Sequence, residues 1–131
     1  MTTRDMKSNV SPASSVLPLA RTETVTGSSV DLRGFDSAMA VLDIGTITDG
    51  TFTPKLQESD DDSTFTDVGT DDLQGSFTAA TSSADDGVQA VGYLGDARYI
   101  RVVYTVSDLP STGGTVGAVV VRGNPHGAPV A

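Results

Sequence analysis

The sequence predicts an all-β protein with an antiparallel β-sandwich or jelly-roll-like fold of about seven or eight strands. Two observations lead to this prediction. Short segments rich in β-branched and aromatic residues recur at spacings of about ten residues and are separated by turn residues. In addition, no stretch of the chain carries a convincing helical period. We expect one domain at residues 28–123, preceded by an extended N-terminal arm and followed by a C-terminal tail at residues 124–131.

The N-terminal segment, residues 1–27, mixes Ser, Thr and Pro with scattered aliphatic residues and has no useful periodicity. One interpretation is a frayed or partly ordered extension. The other is an arm that becomes ordered on a partner subunit, anchored by Val16, Leu17 and Leu19. Within the segment, residues 21–25 are a candidate first strand.

The next apolar segment, Ser37–Ile44, is predicted to be a strand because its residues alternate between two faces. Its Ala, Met and Leu residues also suit a helix, but the run is short and glycines follow at once. Thr51–Val68 then predicts a hairpin with an acidic tip. Pro54 places the first arm of this hairpin at a sheet edge or a bulge.

Residues 71–87 predict a long polar loop with one short strand. Gly87–Tyr93 resumes strand character and is expected to pair with Ala97–Val106 through a turn at Gly95 and Asp96. Thr115–Arg122 is a nearly continuous apolar run, which is typical of a strand covered on both faces.

The clearest strand is Ala97–Val106, where apolar residues alternate with more polar ones. Its apolar face carries Ile100, Val102, Tyr104 and Val106. The opposite face includes Tyr99 and Arg101, residue types that are enriched at subunit contacts, and we list both as candidate partner-binding residues. The alternative is that Arg98, Arg101 and Arg122 pair with the protein's own aspartates.

The net charge of -9 argues against binding to nucleic acids and to membranes, because phosphates and anionic headgroups are repelled. The N-terminus has no apolar signal region, so we expect synthesis and folding in the cytoplasm.

The densest cluster of hard-cation ligands lies at the hairpin tip, where Asp60, Asp61 and Asp62 form a weak candidate for calcium. The spacing of a helix-loop-helix calcium motif is absent, so a solvated turn is the simpler interpretation. His126, the single histidine, has no base, nucleophile or metal partner visible in the sequence. We therefore nominate no catalytic residues and no cofactor, and we expect the protein not to be an enzyme.

Residues 30–68 and 87–130 contain four distinctive segments, which are VDLRGFDSA, IGTITDGTFTPKLQESDDDSTFTDV, VGYLGDARYIRVVYTV and GAVVVRGNPHGAPV. Through these segments, the two parts of the chain resemble small virion proteins of tailed bacteriophages. Residues 1–29 and the polar loop lie largely outside the resemblance.

The resemblance implies a capsid decoration, or cement, protein on the virion surface. Its partner would be the major capsid protein, and it would form a homo-oligomer, with a trimer favoured. A neck, tail or fibre-base component is the alternative within the virion. A carbohydrate-binding β-sandwich module is a third possibility, although a chain with no Trp and three Tyr offers few rings for stacking on sugars.

Overall fold

The computed structural model describes residues 5–108 and 110–127. These residues form two antiparallel sheets and no α-helix, which confirms the predicted all-β sandwich. A single 3-10 turn lies at Thr70–Asp72. The strands are β1 (Ser11–Arg21), β2 (Val25–Thr26), β3 (Val30–Asp31), β4 (Phe35–Ile47), β5 (Thr51–Ser59), β6 (Thr66–Asp67), β7 (Leu73–Gln74), β8 (Gly87–Tyr93), β9 (Tyr99–Ser107) and β10 (Gly114–Pro125).

The two sheets divide the strands by position and not by order along the chain. Sheet A has the order β1-β10-β4-β8-β7. Sheet B has the order β2-β9-β5-β6, and β3 also pairs with β9. Long-range pairing therefore dominates the fold. Among the described residues, no helix is long and apolar enough to cross a membrane.

The core lies between the sheets and is built by alternation along β4 and β9. On β4 the buried side chains include Ala40 and Leu42, while Met39, which precedes them, points outward and is exposed. On β9 the buried face includes Val102 and Tyr104, as predicted. The strand prediction for Ser37–Ile44 is confirmed, because period-two burial places its inner residues against sheet B.

The predicted hairpin is present as β5 and β6, which pair beyond the acidic turn. Pro54 lies between Phe52 and Leu56, whose backbones bond Ala80 and Val68 on the outer side of β5. Proline has no N–H to donate, so it fits this gap. β5 lies between β9 and β6 in sheet B and pairs with β9 without a register shift, so it is neither the edge strand nor the bulge that was predicted, and Pro54 occupies a gap between the partners on its outer side.

The N-terminal segment differs from the expected arm. Ser11–Arg21 forms β1 and pairs with β10 along its length, and Val16 is buried in the core. The sequence lacks alternation here because β1 is interrupted by two register shifts, one on each side of Val16. Pairing with β10 outweighs the low strand propensity of Ser and Pro.

The expected pairing of β8 with β9 is wrong. β8 pairs with β4 and β7 in sheet A, whereas β9 lies in sheet B. The connection crosses between the sheets because Tyr93 Oη donates to Glu58 Oε1 at 2.6 Å and accepts the Ala97 N–H at 3.0 Å. Gly95 passes against the Tyr93 ring, where a Cβ would lie 2.5 Å from its hydroxyl. This corner joins the two sheets.

The last strand is longer than predicted. β10 continues to Pro125, so the expected tail at residues 124–131 begins inside the strand. Ladder pairing with β4 reaches Pro125 opposite Phe35. Residues 128–131 of the expected tail lie outside the described residues.

Candidate partner-binding surfaces

The first candidate surface is the exposed turn of β1, which we call the β1 bulge, residues 17–19. Leu17 and Leu19 are 60% and 51% exposed. Both were predicted as partner-binding residues, and the structure leaves both in solvent. Val16, the third residue of that set, lies in the core instead, because the shift at the bulge turns its side chain inward.

The β1 bulge is held in place by hydrogen bonds from both sides. Arg21 Nη2 donates to the Leu17 carbonyl at 3.1 Å. On the other side, Ser15 Oγ donates to the Ser28 carbonyl at 2.8 Å and accepts the Val102 N–H at 3.0 Å. The bulge therefore presents apolar side chains from a fixed backbone, which lowers the entropy lost when a partner binds.

The second candidate surface, around Tyr99 and Arg101, lies on the outer face of sheet B. The guanidinium of Arg101 lies 3.8 Å from the Phe65 ring centroid, and Arg101 Nε donates to Gln57 Oε1 at 2.9 Å. Gln57 in turn donates to Asp67 at 2.9 Å, and this bond is the main cause that lowers the pKa of Asp67. The Arg101 side chain is thus engaged within the protein.

Arg98 is engaged in the same way. Its Nε and Nη2 donate to the two carboxylate oxygens of Asp31 at 3.0 and 2.9 Å. These bonds hold the pKa of Asp31 below its ordinary value. The guanidinium also lies 5.0 Å from the Tyr99 ring centroid. Arg98 therefore pairs with one of the protein's own aspartates, which was the alternative interpretation of this arginine in the sequence.

The acidic hairpin tip forms a capped turn. Asp61 Oδ1 accepts the N–H groups of Thr64 at 2.9 Å and Ser63 at 3.0 Å, and these bonds lower the pKa of Asp61. Residues 5–108 and 110–127 contain no group of three or more acidic, His or Cys side chains placed to hold a metal ion. Asp60 and Asp62 therefore join no such group with Asp61.

An acidic groove of about 460 Å³ lies beside this turn and includes Glu58, Asp60 and Asp96 in its lining. Tyr93 borders it through its bond to Glu58. Burial, followed by this bond, raises the pKa of Tyr93, so its hydroxyl stays protonated and acts as a donor. The arrangement is that of a structural hydrogen bond at the corner between the sheets.

His126 has a partner that the sequence did not reveal. Its Nε2 lies 2.8 Å from Asp36 Oδ1, and its backbone N–H donates to the Gly34 carbonyl at 2.8 Å. Asp36 precedes it by 90 positions, so only the pairing of β10 with β4 brings the two together. Both side chains are exposed, and the two contacts fasten the residue that follows β10 to the start of β4 and to the turn before it.

A third surface was not predicted as a binding site. The outward side chains of β4, β8 and β10 form what we call the outer apolar face, which consists of Met39, Val41, Val88, Ala90, Val119 and Val121. In the register, Val121 lies beside Met39, and Val119 beside Val41 and Ala90. The signal in the sequence was the apolar character of both faces of these strands.

The chain was compared with protein-family models, curated proteins and solved structures. No protein-family model matches the chain, and no curated protein matches it. The chain is similar to a solved structure described as the crystal structure of the SPBc2 prophage-derived protein YomS, with a TM-score of 0.47 and 15% sequence identity. The match covers 86% of this chain and 93% of that chain. Such a likeness does not define a shared role.

Proposed function

We propose that this protein is a non-enzymatic structural protein of a bacteriophage virion. More specifically, it decorates the outside of the head by binding the major capsid protein and thereby stabilises the assembled shell. The resemblance of residues 30–68 and 87–130 to small phage virion proteins leads to this proposal. The observation that supports docking on a partner is the β1 bulge, where Leu17 and Leu19 are exposed to solvent.

The exposure of these two leucines has an energetic consequence. Removing a leucine side chain from water on docking contributes about 1.5–3 kcal/mol when burial is complete. Two such side chains on a fixed backbone support modest affinity at one site. A capsid offers many equivalent sites, so an oligomer that reaches several of them binds with greater avidity.

The charge of the chain suits an exposed position on a particle. A net charge of -9 keeps the decorated surface soluble and repels packaged DNA. A ligand that binds only the assembled shell stabilises that shell by mass action. The protein would act after the shell has formed and would need no catalytic group.

The direct test is binding of the purified full chain to mature heads that lack it, measured by co-sedimentation. We expect a Leu17→Ser/Leu19→Ser double variant to bind at least tenfold more weakly than the wild type. Met6→Ser is the matched control, because Met6 is also exposed, at 71%, and lies outside the sheets. Equal binding by the double variant would refute the β1 bulge as the docking surface.

A cryo-electron-microscopy map of the virion tests the location. Density for a two-sheet domain repeated over the icosahedral shell supports decoration. Density confined to the portal vertex or tail refutes decoration and favours a neck, tail or fibre-base component.

A further inference from the structure

The outer apolar face is unusual for a chain of this charge. Its six side chains form adjacent rows across β10, β4 and β8, and none of them is charged. On the third row, Asp43 pairs with Gly117 and Val88 and places one carboxylate at the end of the face. Three of the six side chains are exposed, namely Val88 at 68%, Met39 at 39% and the small Ala90.

The outer face of sheet B provides an internal comparison. There, outward positions are occupied by polar and charged residues that bond one another, including Lys55, Gln57, Arg101 and Asp67. Such a face is stable in water. Because the two outer faces belong to the same sandwich, the apolar character of sheet A is a local feature and does not follow from composition.

The sequence pattern along β10 indicates that another protein surface packs against this face. A strand that is apolar on both sides is typical of sheets covered on both faces. Sheet B covers the inner side of β10, where Val116 and Val120 are fully buried. The outward residues Val119 and Val121 remain only half-buried in the described chain. A groove of about 420 Å³ opens beside Val121, where Gly92 and Gly123 provide no side chains.

We propose that the outer apolar face binds the same face of a second copy of this chain. The charge distribution favours this occupant. Asp43 at the end of the face is the one charge that a basic partner would find there, and an acidic partner would find none, whereas a second copy presents another largely uncharged surface. Two sheets pack face to face about 10 Å apart, as the two sheets of a sandwich do.

A two-fold axis suits the position of the one carboxylate on this surface. In an isologous contact centred near Val41 and Val119, the two copies of Asp43 lie at opposite ends of the interface. Neither carboxylate then faces the other, and both stay at the solvated rim. Repulsion between copies of charge -9 opposes the contact and is weakened by salt screening.

The size of the face sets the strength of the contact. Three strands spaced about 4.8 Å apart and about six residues long cover roughly 300 Å² per copy. Stable complexes bury about 800 Å² per partner. The pair is therefore a weak, concentration-dependent dimer, which gains strength where copies are held close together. This inference does not depend on the proposed role on a capsid.

The test is sedimentation velocity of the purified full chain over about 10 µM to 1 mM, in low and high NaCl. We expect the sedimentation coefficient to rise with concentration toward that of a dimer, and to rise further in high salt. Met39→Lys should abolish this rise. Thr105→Lys on the exposed outer side of β9 is the control with the same charge change and should associate like the wild type.

Each alternative result overturns the proposal. A wild type that stays monomeric in both salts, or that dissociates as salt is added, rules out an apolar self-contact. A trimer, the state implied by the resemblance, is incompatible with an isologous pair. If Met39→Lys does not fold, Val88→Lys replaces it, because the Val88 side chain is already mostly in solvent. Association of that variant like the wild type also refutes the contact.

Discussion

Replacing Ser15 with alanine tests whether β1 is an integral part of the sandwich. The Ser15 hydroxyl links three segments, since it donates to the Ser28 carbonyl and accepts the Val102 N–H, and its side chain is buried. Gly27 runs so close that a Cβ there would lie 2.5 Å from Ser15 Oγ. No water fills the place of a lost hydroxyl without moving this backbone.

The magnitude follows from the groups left without a partner. The buried Val102 N–H loses its acceptor, which costs about 1–3 kcal/mol, and the partly solvated Ser28 carbonyl adds less. We expect Ser15→Ala to lower the free energy of unfolding by about 2–3 kcal/mol. With an unfolding entropy of about 2.1 cal/mol/K per residue, this lowers the Tm of the 131-residue chain by about 7–11 °C.

The assay is thermal unfolding followed by circular dichroism, with Ser14→Ala as the matched control. Ser14 is the neighbouring serine and its side chain is exposed, so the same substitution there should change the Tm by less than about 2 °C. Equal Tm values for the two variants would show that the Ser15 bonds do not fasten β1 to sheet B.

Three further predictions concern other contacts between distant segments. Tyr104→Phe removes a buried bond of 2.9 Å from its hydroxyl to the Gly117 carbonyl across the two sheets, and should lower the free energy of unfolding in urea by about 1–2 kcal/mol. Deleting residues 1–19 should lower the Tm by more than about 10 °C because β1 and its core contacts are lost, whereas deleting residues 1–9 should leave the Tm nearly unchanged. A small effect of the longer deletion on Tm would instead support the interpretation of this segment as a loosely attached N-terminal arm. Asp49→Asn should destabilise the protein more near neutral pH than in acid, as measured by Tm at pH 7 and pH 3, because backbone N–H donors, Gly113 first, lower the pKa of the Asp49 carboxylate.

The sign of the Asp49 prediction follows from its lowered pKa. A carboxylate with a lower pKa in the folded state stabilises the protein above its unfolded pKa of about 3.9. This contribution is lost as the pH falls through the lower, folded value. The Tm difference between wild type and Asp49→Asn should therefore shrink below about pH 4. A difference that is the same at both pH values would contradict the charge-based explanation.

The strands that were predicted correctly share a simple property. In β4 and β9, residues such as Leu42 and Val102 alternate with outward residues, so the local pattern alone reveals which side is buried. These predictions succeeded because the physical cause lies within a few residues.

The predictions that failed depended on distant segments. β1 has no recognisable pattern, because its stability comes from pairing with β10 about 100 positions later and not from its own propensity. The connection after β8 has the length of a hairpin, but the bond from Tyr93 to Glu58 directs it to the opposite sheet. The residues around Tyr93 in the sequence do not predict that Glu58 lies next to it in the fold.

The candidate surfaces divide in the same way. Leu17 and Leu19 were visible as apolar residues in a polar segment, whereas Val16 looked the same and is buried, because a bulge decides which way each side chain points. In the sequence, the only sign of the outer apolar face was that its strands carry apolar residues on both sides.

The sequence alone determined the all-β class, the inner faces of the central strands, the acidic hairpin tip and the strong negative charge, because composition and period-two alternation are local properties. The tertiary structure decided which sheet each strand joins, that β1 completes sheet A, that His126 meets Asp36, and which apolar face stays open to solvent. These features depend on pairing between residues far apart in the chain, and such pairing is set by the free energy of the whole fold and not by any single segment.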